Sequence, residues 1–168
     1  MDVLQAIKER RSIRKYEPKA VPEEKLTQIL ESGRWAPSAS NSQPWRFIVV
    51  RDEKVKNELA RVAVYGSFMA QAPVAIAVVI DPQASNHPVE DGAAATQNML
   101  LAAHALGLGT CWIGSYGSGY EERAKEVLGI PRDKRLLALT SLGYPAESPT
   151  KDRVELSELV CHDRHTGD

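Results

Sequence analysis

Cysteine is scarce in this chain. Cys111 and Cys161 are its only two, and they form neither a CxxC pair nor a disulfide framework. A reducing, cytoplasmic setting is expected on that ground. Long apolar runs are missing as well. A membrane helix needs ~20 consecutive apolar residues, and stretches such as Pro73 to Ile80 fall far short, so no membrane span is expected. Nor is there an excess of either charge: 21 Lys and Arg stand against 22 Asp and Glu, for a net charge of −1. A general nucleic-acid binder would carry a broad basic surplus, so no nucleic-acid partner is expected.

The common catalytic motifs are absent too. There is no nucleophile elbow, no HExxH zinc helix and no P-loop, and Gly114 comes too late after Gly107 and Gly109 to complete GxGxxG. "CHDRH" at the carboxyl end offers one end of a metal site without the other, so no metal is expected. Repeats, low-complexity tracts and long linkers are lacking. The opening "MDVLQAIKERR" reads as an amphipathic helix rather than a signal peptide. At 168 residues, the chain suits a single domain over 1–168, with a polar tail from about residue 146.

What remains is a patterned interior. Asp2 to Glu9 is expected as a short helix with Asp2 as its cap. A second helix is expected in "VPEEKLTQILESGRWA", with Pro22 and acids in its first turn and Gly33 closing its end. "RFIVVRD" reads as a strand, "EKVKNELARVAVY" as a helix, and Pro73 to Asp81 as a central strand, because its apolar run is continuous. Asp91 to Leu106 is a helix whose apolar residues wrap nearly all round, so it must be covered on several sides, and a second subunit is one source of cover. A short strand in "GLGTCWIGS", a helix at Glu121 to Leu128, a strand in "RLLALTSLGYP" and a short helix at Leu156 to Val160 complete the order. This order permits either a doubly wound sheet or an α+β sandwich.

Against the near-neutral background one cluster stands out. "RRSIRKY" places Arg10, Arg11, Arg14 and Lys15 around Ser12. In an extended segment alternate side chains share a side, which puts Arg10, Ser12 and Arg14 together. Guanidinium forks and a hydroxyl suit a phosphate; a solvated loop paired with Glu9 and Glu17 would need no ligand. The loop "PSASNSQPW" holds Asn41 and Gln43, whose amides can read a heterocycle edge or sit in a plain surface turn. An anion cradle and an amide-bearing loop, without a protein nucleophile, point to chemistry carried by a cofactor.

Four segments in order, "RRSIRKY", "ILESGRWAPSASNSQPWRFIVV", the alanine-rich helix running into "LGLGTCWIG", and "SLGYPAESPTKDR", resemble the nitroreductase family of flavin enzymes from Met1 to about Val160. The resemblance implies an α+β three-layer sandwich, with a mainly antiparallel central sheet flanked by helices. It also implies an intertwined homodimer with FMN at the subunit interface. By similarity, Arg10, Arg11, Ser12 and Arg14 would hold the phosphate and ribityl chain, with Arg153 adding a late cation. Pro37, Ser38, Ala39 and Asn41 would come from the partner subunit, with Gln43 near the polar edge of the flavin, and Trp112, Ile113 and Gly114 would line the ring. The implied activity is ping-pong transfer of hydride from NADH or NADPH through FMN to a nitro or quinone-type acceptor. Other branches of the family imply alternatives, a specialised reaction such as reductive dehalogenation or a flavin-binding module without catalysis. A plain domain for a phosphorylated metabolite is the reading furthest from the family. Tyr65 to Ala72 and Gln83 to Pro88 are short where longer members of the family carry a covering insertion.

Overall fold

The structure of the protein, a computed structural model, describes residues 1–165. Its helices are α1 (Val3–Glu9), α2 (Glu23–Arg34), α3 (Glu53–Val62), α4 (Pro88–Ala105) and α5 (Glu121–Leu128). Its strands are β1 (Trp45–Val50), β2 (Val74–Ile80), β3 (Gly109–Gly114) and β4 (Arg135–Gly143). They form one sheet in the order β1-β2-β4-β3, with every pair antiparallel. This settles the choice that the element order left open, in favour of the sandwich.

Helix ends follow local chemistry. The Asp2 carboxylate accepts from the Gln5 N–H at 3.0 Å and starts α1; Asp52 accepts from the Val55 N–H at 3.0 Å and starts α3. Each satisfies a backbone donor that the first helical turn leaves open. The fourth helix begins earlier than the apolar pattern indicates, at Pro88, whose fixed φ suits a first helical position. Gly33 does not close α2. It is buried inside the helix, and a Cβ there would meet the Met99 Cγ at 2.9 Å and the Phe47 Cζ at 3.0 Å. A glycine near a helix end can serve close packing as readily as termination, and here packing decides.

All seven residues of β2 are buried, as its continuous apolar run predicts. Val74, Ile76, Val78 and Ile80 pack with Leu26 and Ile29 of α2 and Met99 and Ala103 of α4. Ala75, Ala77 and Val79 face the other way, toward Leu59 of α3, Met69 of the 3-10 turn Ser67–Gln71 and Ala124 of α5. Three layers result. The register slips between Val78 and Val79, where Ala138 and Leu136 are the partners and Leu137 is the extra residue of a bulge. The Leu137 carbonyl then accepts from the Ser115 and Tyr116 N–H groups, both at 3.1 Å, and so fixes the exit of β3.

The outer edge of β3 is covered by the cationic segment: Ser12 bridges Thr110 in parallel, and the Ile13 N–H donates to the Thr110 carbonyl at 2.9 Å. Along α4, residues Ala93, Ala94, Leu101 and Ala102 are only partly covered by this chain. Among the described residues no helix is long and apolar enough to cross a membrane.

Candidate functional site: a cationic cavity and an aromatic one that share Arg14

Residues 10–16 run extended along β3, and this brings the sequence-predicted cations together. Arg10, Arg11, Ser12 and Arg14 line a cavity of about 160 Å³, with Lys151 and Arg153 arriving from the tail. Close approach to β3 is possible because Gly109 lacks a side chain: a Cβ there would meet the Ile13 Cγ1 at 2.7 Å.

The charge in this cavity is unbalanced. None of Arg10, Arg11, Arg14, Lys151 and Arg153 forms an ion pair among the described residues. Burial, then the nearby Arg153 and Arg11 guanidinia, pull the Arg10 guanidinium below its ordinary pKa. The Arg11 Nη1 donates to the Lys8 carbonyl at 2.6 Å, while its Nε is buried without a partner. Like charges held this close, with a donor left over, are the arrangement an anion stabilises.

Arg14 also lines a second cavity of about 330 Å³, with Phe68, Trp112, Ile113, Gly114 and Tyr120. Its guanidinium lies 5.7 Å from the centre of the Phe68 ring. The Tyr120 hydroxyl donates to the Gly114 carbonyl at 2.5 Å. Cys111 forms part of the floor; burial pushes its thiol pKa up, against Arg14, a hydrogen bond with Ser12, and Arg10. Trp112, Ile113 and Gly114 are thus gathered with Arg14, as the sequence suggests. Phe68, Tyr120 and Lys151 were not foreseen, since no local pattern links residues 68 and 120 to residue 14.

The amide-bearing loop does not join these cavities within one protomer. Pro37, Ser38, Ala39, Asn41 and Gln43 precede β1, at the opposite edge of the sheet from β3. Three strand spacings separate those edges, roughly 14 Å. The loop is nevertheless built with care. Ser40, Asn41 and Gln43 have φ of 51°, 55° and 49°, a left-handed conformation that costs non-glycine residues energy and collects at functional sites. The Ala39 N–H donates to the buried Asp91 carboxylate at 2.9 Å, and the Gln43 N–H to the Ser38 Oγ at 3.0 Å. Asp91, in the first turn of α4, is an organising residue that the sequence did not reveal.

The family model described as Nitroreductase family matches residues 7–64 and 59–144. A Methanothermobacter thermautotrophicus protein, provisionally named NADH dehydrogenase/NAD(P)H nitroreductase, is 45% identical over 157 residues, covering 90% of this chain and 82% of that one. A crystal structure of a provisional nitroreductase from Desulfovibrio desulfuricans in complex with FMN superposes with a TM-score of 0.88 at 38% identity, covering 98% of both chains. An FMN-dependent nitroreductase from Clostridium difficile gives 0.85 at 32% identity, covering 98% of this chain and 99% of that one. The chain belongs to the nitroreductase family.

Proposed function

We propose that this chain, an FMN-dependent NAD(P)H oxidoreductase of the nitroreductase family, works as a homodimer that passes hydride equivalents to nitro or quinone-type acceptors in a ping-pong cycle. The observation that carries the reading is the cavity of cations without ion-pair partners, one of whose lining residues, Arg14, also lines an aromatic cavity. The donor set fits FMN: a phosphate takes guanidinium forks, a hydroxyl and a lysine, and a flat ring takes apolar walls with a few polar groups.

Bound FMN supplies the hydride chemistry that links the nicotinamide half-reaction to the acceptor half-reaction. The protein's own part is binding and orientation. Arg10, Arg11, Ser12, Arg14, Lys151 and Arg153 would hold the phosphate, and the Arg11 Nη1 would also brace the segment through its bonds to the Lys8 and Arg10 carbonyls. Trp112, Ile113 and Gly114 would line the ring, on a strand whose exit is fixed by the Leu137 carbonyl.

Pro37, Ser38, Ala39, Asn41 and Gln43 would reach the site from the second copy. Support comes from apolar surface that one chain leaves uncovered. Val3, Leu4 and Ile7 of α1 and Trp35 are exposed, as are Val154, Leu156, Leu159 and Val160 of the tail. Exposed apolar side chains on one helix and along the tail suit a protein–protein interface, as an intertwined pair would need.

The test is spectroscopic. Purified protein should be yellow, carry close to one FMN per chain, bleach with NADH or NADPH under argon, and regain colour on adding menadione or a nitrofuran. A protein that takes up no FMN on reconstitution sinks the proposal. One that binds FMN but never bleaches is a flavin-binding module instead. A monomeric mass at all concentrations, with FMN still bound, removes the shared site.

A further inference from the structure

We propose that Glu147 is a positioning residue for the cofactor, one that holds the Arg14 backbone so that this side chain faces both cavities at once. The inference rests on the FMN reading above and assigns a role to a residue that does not itself line the phosphate cavity.

The tail leaves β4 at Gly143 and immediately zips onto the cationic segment. The Glu17 N–H donates to the Tyr144 carbonyl, and the Ala146 N–H to the Lys15 carbonyl, both at 2.9 Å. This antiparallel run brings Glu147 level with Arg14. There a single carboxylate oxygen, Oε1, accepts from the Arg14 N–H at 2.5 Å and from the Lys15 N–H at 3.2 Å. The other side of the same peptide unit is fixed as well. The Ile13 carbonyl accepts from the buried Tyr16 hydroxyl at 2.5 Å, and that hydroxyl is 2.6 Å from the Ser141 Oγ on β4. The Ile13–Arg14 peptide is therefore clamped at its oxygen by Tyr16 and at its nitrogen by Glu147.

Arg14 is the residue on which this clamp acts, and among the described residues it alone lines both the phosphate cavity and the aromatic cavity. A long, exposed side chain can reach two cavities only if its Cα is held, because rotamer freedom otherwise spreads the guanidinium over a wide volume. A carboxylate beside an anion cradle is also a puzzle. Left free, it would repel a phosphate. Its charge is instead engaged by two backbone donors, the use that consecutive N–H groups make of an anion. Glu147 thus trades a small repulsion for a fixed Arg14.

The two effects predict opposite signs, which makes the proposal decidable. FMN affinity is measured by quenching of flavin fluorescence on reconstituted protein, for wild type, Glu147→Ala, Glu147→Gln, Arg14→Ala and the double variant Glu147→Ala with Arg14→Ala. If Glu147 positions Arg14, Glu147→Ala weakens FMN binding about tenfold, the scale of lost hydrogen bonds to a charged acceptor. Glu147→Gln keeps a carbonyl oxygen for the two N–H groups and recovers to within about threefold of wild type. In the Arg14→Ala background the Glu147→Ala effect disappears, since the group being positioned is gone.

Equal or tighter FMN binding in Glu147→Ala overturns the proposal and assigns the carboxylate a repulsive role. So does a weakening that persists in full without Arg14. Should Glu147→Ala fail to fold, by thermal melt, the Gln variant decides: near-wild-type affinity supports the proposal, and a loss as large as that of Arg14→Ala refutes it. A wild type that takes up no FMN removes the parent reading, and this one falls with it. A wild type that binds FMN beside an unaffected Glu147→Ala removes this one alone.

Discussion

Replacing Arg14 with Ala should cost the protein its preference for a phosphorylated flavin more than its grip on the flavin ring. The two cavities that Arg14 joins make this separable. FMN and riboflavin share the ring and the ribityl chain and differ only in the phosphate. A charge-assisted hydrogen bond is worth ~1.5–3 kcal/mol, which is about 10- to 160-fold in a dissociation constant. Arg14 is exposed, and its contact with the Phe68 ring is long at 5.7 Å, so the lower half of that range is expected. Wild type should therefore favour FMN over riboflavin strongly, and Arg14→Ala should narrow the ratio about 10- to 30-fold, chiefly by weakening FMN. Raising the salt concentration should narrow it further in both proteins, since exposed charges are screened beyond ~8 Å at physiological ionic strength. The assay is titration of apoprotein with each flavin, followed by fluorescence quenching. Equal losses for FMN and riboflavin would place Arg14 at the ring alone and refute the cradle.

Other consequences can be checked in parallel. Gly109→Ala drives a methyl group to within 2.7 Å of Ile13, and overpacking of this kind costs ~1–3 kcal/mol; urea midpoints should fall, and FMN affinity with them, because the cationic segment is what moves. Burial alone would raise the Glu121 pKa, but Arg135 and the Gly117 and Leu136 N–H groups outweigh it and hold the carboxyl below its ordinary value. A depressed carboxyl stabilises the fold above its unfolded pKa, and that contribution is lost as pH falls through the lower folded value. Glu121→Gln should accordingly be less stable than wild type at neutral pH, because it removes the carboxylate that pairs with Arg135, with the gap narrowing below the ordinary carboxylate range in a pH series of melts. Asp91→Asn should loosen the loop at residues 37–43, which hangs from that carboxylate through the Ala39 N–H, and should weaken FMN binding in the dimer while leaving the melting temperature of the apoprotein within a few degrees.

How much of this could be read beforehand depends on the kind of signal each feature leaves. β2 was legible because burial on both faces demands an unbroken apolar run, and Val74 to Ile80 supply one. The bulge in β4 was not. Leu136, Leu137, Ala138 and Leu139 are all apolar, so the usual alternation is silent, and the slip shows only against the register of β2. The cations of "RRSIRKY" were conspicuous because they crowd one short stretch of a neutral chain. Their counterparts were hidden by distance: Glu147 lies 133 residues from the Arg14 N–H it accepts, and Phe68 and Tyr120 come from separate elements. Charge clustering is a local property that a sequence displays, whereas convergence is a property of the fold. The loop at residues 37–43 sharpens the point. Its left-handed φ values and its bond to Asp91 give it a defined conformation, yet one copy of the fold holds it at the far edge of the sheet. If a second copy brings the loop to Trp112, the site is a property of the pair, and diluting the protein below its dimer dissociation constant should release the flavin in step with the monomer.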